Sequence, residues 1–143
     1  MTTESRVRPV GITALSMFFW AGAFISFIAA VSLLTPGSFL EPLWRLNPRA
    51  REGFAEIGGW AILLMGAVAV ACAMAAAGVW RGSRWGYWLA LILLAVNLIG
   101  DIANVFLGTE PRAAVGIPIV IAILVFLLVS RRVRDFFSKT ART

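Results

Sequence analysis

The residues whose types and spacing could do chemistry fall in one short stretch: Asn97, Asp101 and Asn104. Offsets of four and three residues bring them within an arc of about 60° on a helix. Two amides beside a carboxylate can ligate a cation, and a carboxyl drawn away from water can load and release protons. The same groups can instead tie one helix to its neighbours, through contacts worth about 0.6–2 kcal/mol each in a bilayer. Asp101 lies about 9 Å, by helical rise, from the end of its apolar stretch at Leu107. From there it reaches interfacial water, or Arg112 of the following loop.

No other chemistry is offered. The chain has no histidine, which removes imidazole bases, histidine triads and His-containing metal sites. A single cysteine, Cys72, can form neither an internal disulfide nor a Cys-x-x-Cys redox pair. Asp101 has no visible base or metal partner, so no enzyme is expected and no cofactor.

The elements that must position these residues are membrane helices. Only 14% of the 143 residues are charged while 60% are hydrophobic, a mixture that cannot clothe a water-facing surface. About 20 apolar residues suffice to cross a bilayer, and four stretches supply them: 10–34, 57–79, 85–107 and 113–130. Of the 20 charged side chains, 19 lie outside these stretches, the sorting a hydrocarbon solvent enforces. The first stretch follows Arg6 and Arg8 but runs 25 residues, too long for a signal-peptide core, and reads as a retained helix.

The expected fold is therefore all-α, a four-helix transmembrane bundle in a single domain. Arg6, Arg8, Arg81, Arg84, Arg131, Arg132, Arg134, Lys139 and Arg142 share one side, against Arg45, Arg49, Arg51 and Arg112 on the other. The positive-inside rule then places both termini in the cytoplasm. Trp80, Arg81, Arg84, Trp85 and Trp88 bracket a tight turn as interface anchors, with Trp44 and Trp60 at the opposite face. The basic residues are spread over helix ends rather than gathered among aromatics, so the lipid bilayer is the expected partner and nucleic acid is not. Arg131, Arg132 and Arg134, followed by Phe136 and Phe137, read as a basic-aromatic anchor at the headgroups.

Residues 35–56, between the first two spans, carry their own helix signals. Ser38 and Glu41 fit a capping box ahead of a short interfacial helix with an apolar patch at Phe39, Leu40, Leu43 and Trp44. Asn47 and Pro48 fit an N-cap and first helical residue, with Gly53, Gly58 and Gly59 leaving room for a bend. In the second span Ala67, Ala71 and Ala75 recur every four residues, as do Ala69, Ala73 and Ala77. Gly22, Ser26 and Ala30 repeat the device in the first span. Such faces let backbones approach where no hydrophobic effect drives association, and two on one helix point to self-association or a larger membrane complex.

The run Trp80-Arg81-Gly82-Ser83-Arg84-Trp85-Gly86, followed by Leu89-Ala90 and then Asn97, Gly100, Asp101 and Asn104, resembles small bacterial inner-membrane proteins of uncharacterised activity. That resemblance implies a bacterial source and four spans, and no activity. The functional expectation is a non-enzymatic membrane protein acting through assembly, as a homo-oligomer or small accessory subunit. Its alternative is a small proton- or cation-coupled transporter or channel using Asp101, Asn97 and Asn104.

Overall fold

The computed structural model describes residues 8–139; Arg6 and Arg142 of the charge comparison lie outside them. The described chain is all-helical. Its elements are α1 (Val10–Leu34), a 3-10 helix (Glu41–Leu46), α2 (Pro48–Ile57), α3 (Gly59–Trp80), α4 (Arg84–Phe106), α5 (Ala113–Val129) and α6 (Arg131–Lys139). Three of these, α1, α3 and α4, are long and apolar enough to cross a membrane. The 17 residues of α5 rise only about 25 Å, short of the ~30 Å hydrocarbon core. It passes the same test together with α6, which bends away from it by 62°.

The second span begins two residues later than the sequence pattern sets it, and the cause is local. Gly58 takes φ 57° and ψ −134°, a backbone conformation open to glycine and little else, which breaks the chain between α2 and α3. Asn47 caps α2 as expected, its side-chain oxygen accepting from the Ala50 N–H at 3.1 Å. The expected capping box does not form. Glu41 accepts instead from the Gly37 N–H at 3.1 Å and pairs with Arg51, while Ser38 Oγ accepts from the Leu40 N–H. A 3-10 start places the Ser38 hydroxyl over the nearer amide, and Arg51 on α2 draws the carboxylate away.

The turn from α3 to α4 is the most closely specified part of the chain. Gly82, at φ 68°, ends α3 in a Schellman motif, with the Gly82 N–H on the Val79 carbonyl and the Ser83 N–H on the Gly78 carbonyl. Ser83 then caps α4, accepting from the Gly86 N–H while its hydroxyl donates back to the Gly78 carbonyl at 2.9 Å. A Cβ on Gly86 would lie 2.4 Å from the Gly78 carbonyl carbon, so the two backbones touch.

From that turn the helices pack as a series: α1 on α3, α3 on α4, α4 on α5. Antiparallel α1 and α3 are tied by Ser16, whose buried hydroxyl donates to the Ala76 carbonyl at 2.9 Å. The core gathers at the hairpin end, where Ile12, Val79, Ala90, Leu94 and Leu127 are all buried. There α6 folds under the bundle and inserts Val133 and Phe137, while Arg131, Arg132 and Arg134 stay exposed. The Tyr87 hydroxyl donates to the Leu127 carbonyl at 3.1 Å, and its ring stands 5.0 Å from that of Phe137. Phe24, Leu63, Ile92, Ile99 and Val125 remain on the outside, a surface suited to lipid tails.

The Gly78–Gly86 contact yields a paired test. Gly86→Ala must push the hairpin apart, at about 1–3 kcal/mol for overpacking. Gly66→Ala meets nothing within 4 Å and gains helix propensity. Detergent-titrated unfolding should show the first variant destabilised and the second unchanged or slightly stabilised.

Candidate functional site

The face of α4 that packs at the hairpin end runs through Gly86, Ala90 and Leu94. Helical geometry continues this stripe through Asn97, Asp101 and Asn104. Its facing stripe on α3 runs from Gly78 through Ala75, Ala71 and Ala67 to Leu64 and Trp60. Burial falls away along both. On α3 it passes from Ala75, fully buried, through half-buried Ala71 and exposed Ala67 to Leu64 and Trp60, 49% and 75% exposed. On α4 it passes from Leu94, 2% exposed, to exposed Asn97 and Asn104 with Asp101 between them half-buried.

The two helices touch at Gly78 and Gly86, stay covered through Ala75 and Leu94, and lose cover beyond them. A Cβ added to Gly100, at the margin of the α4 stripe, would meet nothing within 4 Å. The facing stripes of α3 and α4 are thus left uncovered in the half that carries the long loop, which we take as an α3/α4 cleft. Beyond Ala23, Ala69, Leu94 and Val120 toward the loop end, the buried residues of the spans are Ser32 and Ala61.

Within the cleft the three polar residues divide. The Asn97 amide donates to Asp101 Oδ2 at 3.0 Å, and a Cβ on Gly116 of α5 would approach the same oxygen to 3.0 Å. Asn104 turns to the helix end, where its side-chain and backbone oxygens accept from the Thr109 hydroxyl at 2.9 and 3.2 Å. Gly108, at φ 68°, completes a second Schellman turn there, with the Thr109 N–H on the Asn104 carbonyl. Asn97 and Asp101 thus form a pair, and Asn104 caps the helix.

The remaining sequence-selected residues occupy three settings. Gly22 and Ser26 are half-buried in α1, and a Cβ on Gly22 would sit 3.7 Å from Cys72 Sγ of α3. Ala75 is enclosed by the chain itself, whereas Ala71 and Ala67 open progressively into the cleft. Trp80, Arg81, Arg84, Trp85 and Trp88 are exposed around the hairpin, with the Arg8 guanidinium 3.8 Å from the Trp80 ring centroid. Among the described residues no cluster of His, Cys, Asp or Glu is placed to hold a metal.

At the loop end the two helix pairs are rejoined by arginines that periodicity did not single out. Arg49 donates to the Thr109 carbonyl at 3.2 Å, and Arg112 donates to the Leu46 carbonyl at 3.3 Å. Trp44 anchors the 3-10 helix, its indole N–H on Ser32 Oγ at 2.8 Å and its ring edge-on to Phe54. No spacing rule marks a long-range arginine-to-carbonyl bond. A hydroxyl after glycine at each helix end, at Ser83 and Thr109, was the signal available for the two caps.

Comparison with family models, with curated proteins and with solved structures finds no match to this chain. The site therefore rests on its geometry.

The Gly37 N–H holds the Glu41 carboxyl below the ordinary glutamate range, partly offset by desolvation and reinforced by Arg51. A depressed carboxyl favours the folded loop above its unfolded-state pKa, and that contribution fades as pH falls through the lowered folded value. The protection factor of the Gly37 amide, its measured exchange rate set against the intrinsic rate at the same pH, should be high at neutral pH and fall on acidification below the usual glutamate range. Glu41→Ala should leave that protection low, with no pH dependence of its own.

Proposed function

We propose that this chain is a non-enzymatic protein of the bacterial inner membrane that works by assembly, receiving a transmembrane segment of a partner, or of another copy, in the α3/α4 cleft. The observation that carries the reading is the uncovered inward stripe of α4. Asn97, Gly100 and Asp101 lie at membrane depth on the same face as the buried Ala90 and Leu94, and lipid tails cannot satisfy an amide and a carboxylate. Opposite them Ala67 and Ala71 offer the small surface that lets a third backbone come close.

In this reading α1, α3, α4 and the short α5 form a four-span bundle, and the 3-10 helix with α2 lies as an interfacial cap on the outer face. Both termini are cytoplasmic. Support comes from the charge distribution, with Arg8, Arg81, Arg84, Arg131, Arg132 and Arg134 at the hairpin end. At the loop end Arg51 is paired with Glu41, and Arg49 and Arg112 are occupied by backbone carbonyls.

Transport is the second reading, favoured by the Asn97–Asp101 pair standing open toward the loop end. Against it, the hairpin half is closed by Ile12, Val79, Leu94 and Leu127, each 2% exposed or less. A conducting path has to part that core.

Native mass spectrometry from mild detergent, with native-membrane pull-down, separates the two. Ala67→Leu fills the cleft without entering the chain's own core, so it should abolish the oligomer or partner complex and leave unfolding unchanged. Asp101→Asn keeps a side chain that can bond Asn97, so it should leave assembly intact. The transport reading predicts the reverse, with proton or cation flux lost in Asp101→Asn and indifferent to assembly.

A further inference from the structure

The helix series α1–α3–α4–α5 leaves its two ends, α1 and α5, as neighbours that scarcely pack. Between them runs a groove of about 370 Å³ lined by Gly11, Ala14 and Phe18 on one wall and Ala122, Ile123 and Phe126 on the other. Every lining side chain is apolar. At the hairpin end the Phe126 ring lies against Gly11, where a Cβ would fall 2.5 Å from the ring, and the groove is open along its flank. A helix is about 10 Å across and rises ~5.4 Å per turn, so the groove holds less than one turn of a partner helix. A single hydrocarbon chain fits it.

Basic residues flank the groove's lining in sequence at the hairpin end: Arg8 is three residues before Gly11, ahead of α1, and Arg131 and Arg132 open α6 five and six residues after Phe126. Arg8 is half-buried with its guanidinium against Trp80, and its Nε is shielded from solvent and makes no hydrogen bond among the described residues. Among the described residues the one ion pair is Glu41–Arg51 at the far end, so no carboxylate of those residues is in salt-bridge contact with Arg8. A desolvated cation without a counter-charge is costly, and an anion beside it recovers that cost.

We propose that this groove is a binding site for an anionic phospholipid, with one acyl chain between α1 and α5 and the phosphate at Arg8, flanked by Arg131 and Arg132. The site is separate from the α3/α4 cleft and stands or falls apart from it. It makes the lipid a wedge that completes the α1–α5 seam.

The test is native mass spectrometry of the full chain in mild detergent, titrated with phosphatidylglycerol, with phosphatidylcholine of the same acyl chains, and with inorganic phosphate. Discrete phosphatidylglycerol adducts should exceed phosphatidylcholine adducts. Arg8→Gln should weaken them about fivefold, the equivalent of one cationic contact near a headgroup. Ala122→Phe should fill the groove and abolish them, and melting curves of both variants should match the parent. Equal retention of the two lipids, or adducts unchanged in Ala122→Phe, would overturn the proposal. Inorganic phosphate binding as tightly as phosphatidylglycerol would overturn it too, since the acyl chain would then contribute nothing.

Discussion

The contact on which the rest depends is the meeting of Gly78 with Gly86. A lipid solvent gives apolar helices no reason to leave it for one another, so packing must come from close backbone approach and buried hydrogen bonds. Here two glycines let the backbones meet, and Gly82 and Ser83 fix the geometry by ending one helix and starting the next on the same Gly78 carbonyl. Everything inward of that crossing is dense. The Ser16 and Tyr87 hydroxyls each find a carbonyl on a neighbouring helix, and α6 seals the end with Val133 and Phe137.

Fixing two helices at one end and letting them cross at an angle determines what happens at the other. Side chains grow along the α3 stripe from glycine and alanine to Leu64 and Trp60, which the diverging backbones leave room for but do not cover. The polar stripe of α4 comes out in that widening space. Its position is a consequence of helical phase: residues in register with Ala90 and Leu94 face inward whether or not the chain supplies a neighbour. Arg49 and Arg112 then tie the separated pairs through loop carbonyls, bonds of modest strength at an exposed surface. The bundle is thus firm at the hairpin and held by loops at the opposite end.

Much of this was legible in the residues. The apolar runs gave three spans to within two residues, and helical phase placed Asn97, Asp101 and Asn104 on one face. Asn47 and Pro48 announced α2. Other features depend on tertiary position and left no local trace. Nothing in the Ala67–Ala71–Ala75 repeat says which alanine the chain itself covers, because that depends on how far along α3 the crossing with α4 lies. Ser38 and Glu41 have capping-box spacing, but Arg51 on a separate helix competes for the carboxylate, and the 3-10 geometry moves the amide the serine would accept from. Asn104 shares a stripe with Asp101, yet Gly108 brings Thr109 back over it.

The claim most exposed to contradiction is that the cleft is open toward the loop end. Single cysteines at positions 67, 75, 94 and 97, in a Cys72→Ser background, can be challenged with a membrane-impermeant maleimide applied to the protein alone in nanodiscs. The account predicts labelling at 67 and 97, where water enters between the helix pairs, and none at 75 and 94, which the packed half of the chain buries. Protection at all four positions would mean that α3 and α4 close along their whole length, and would contradict it.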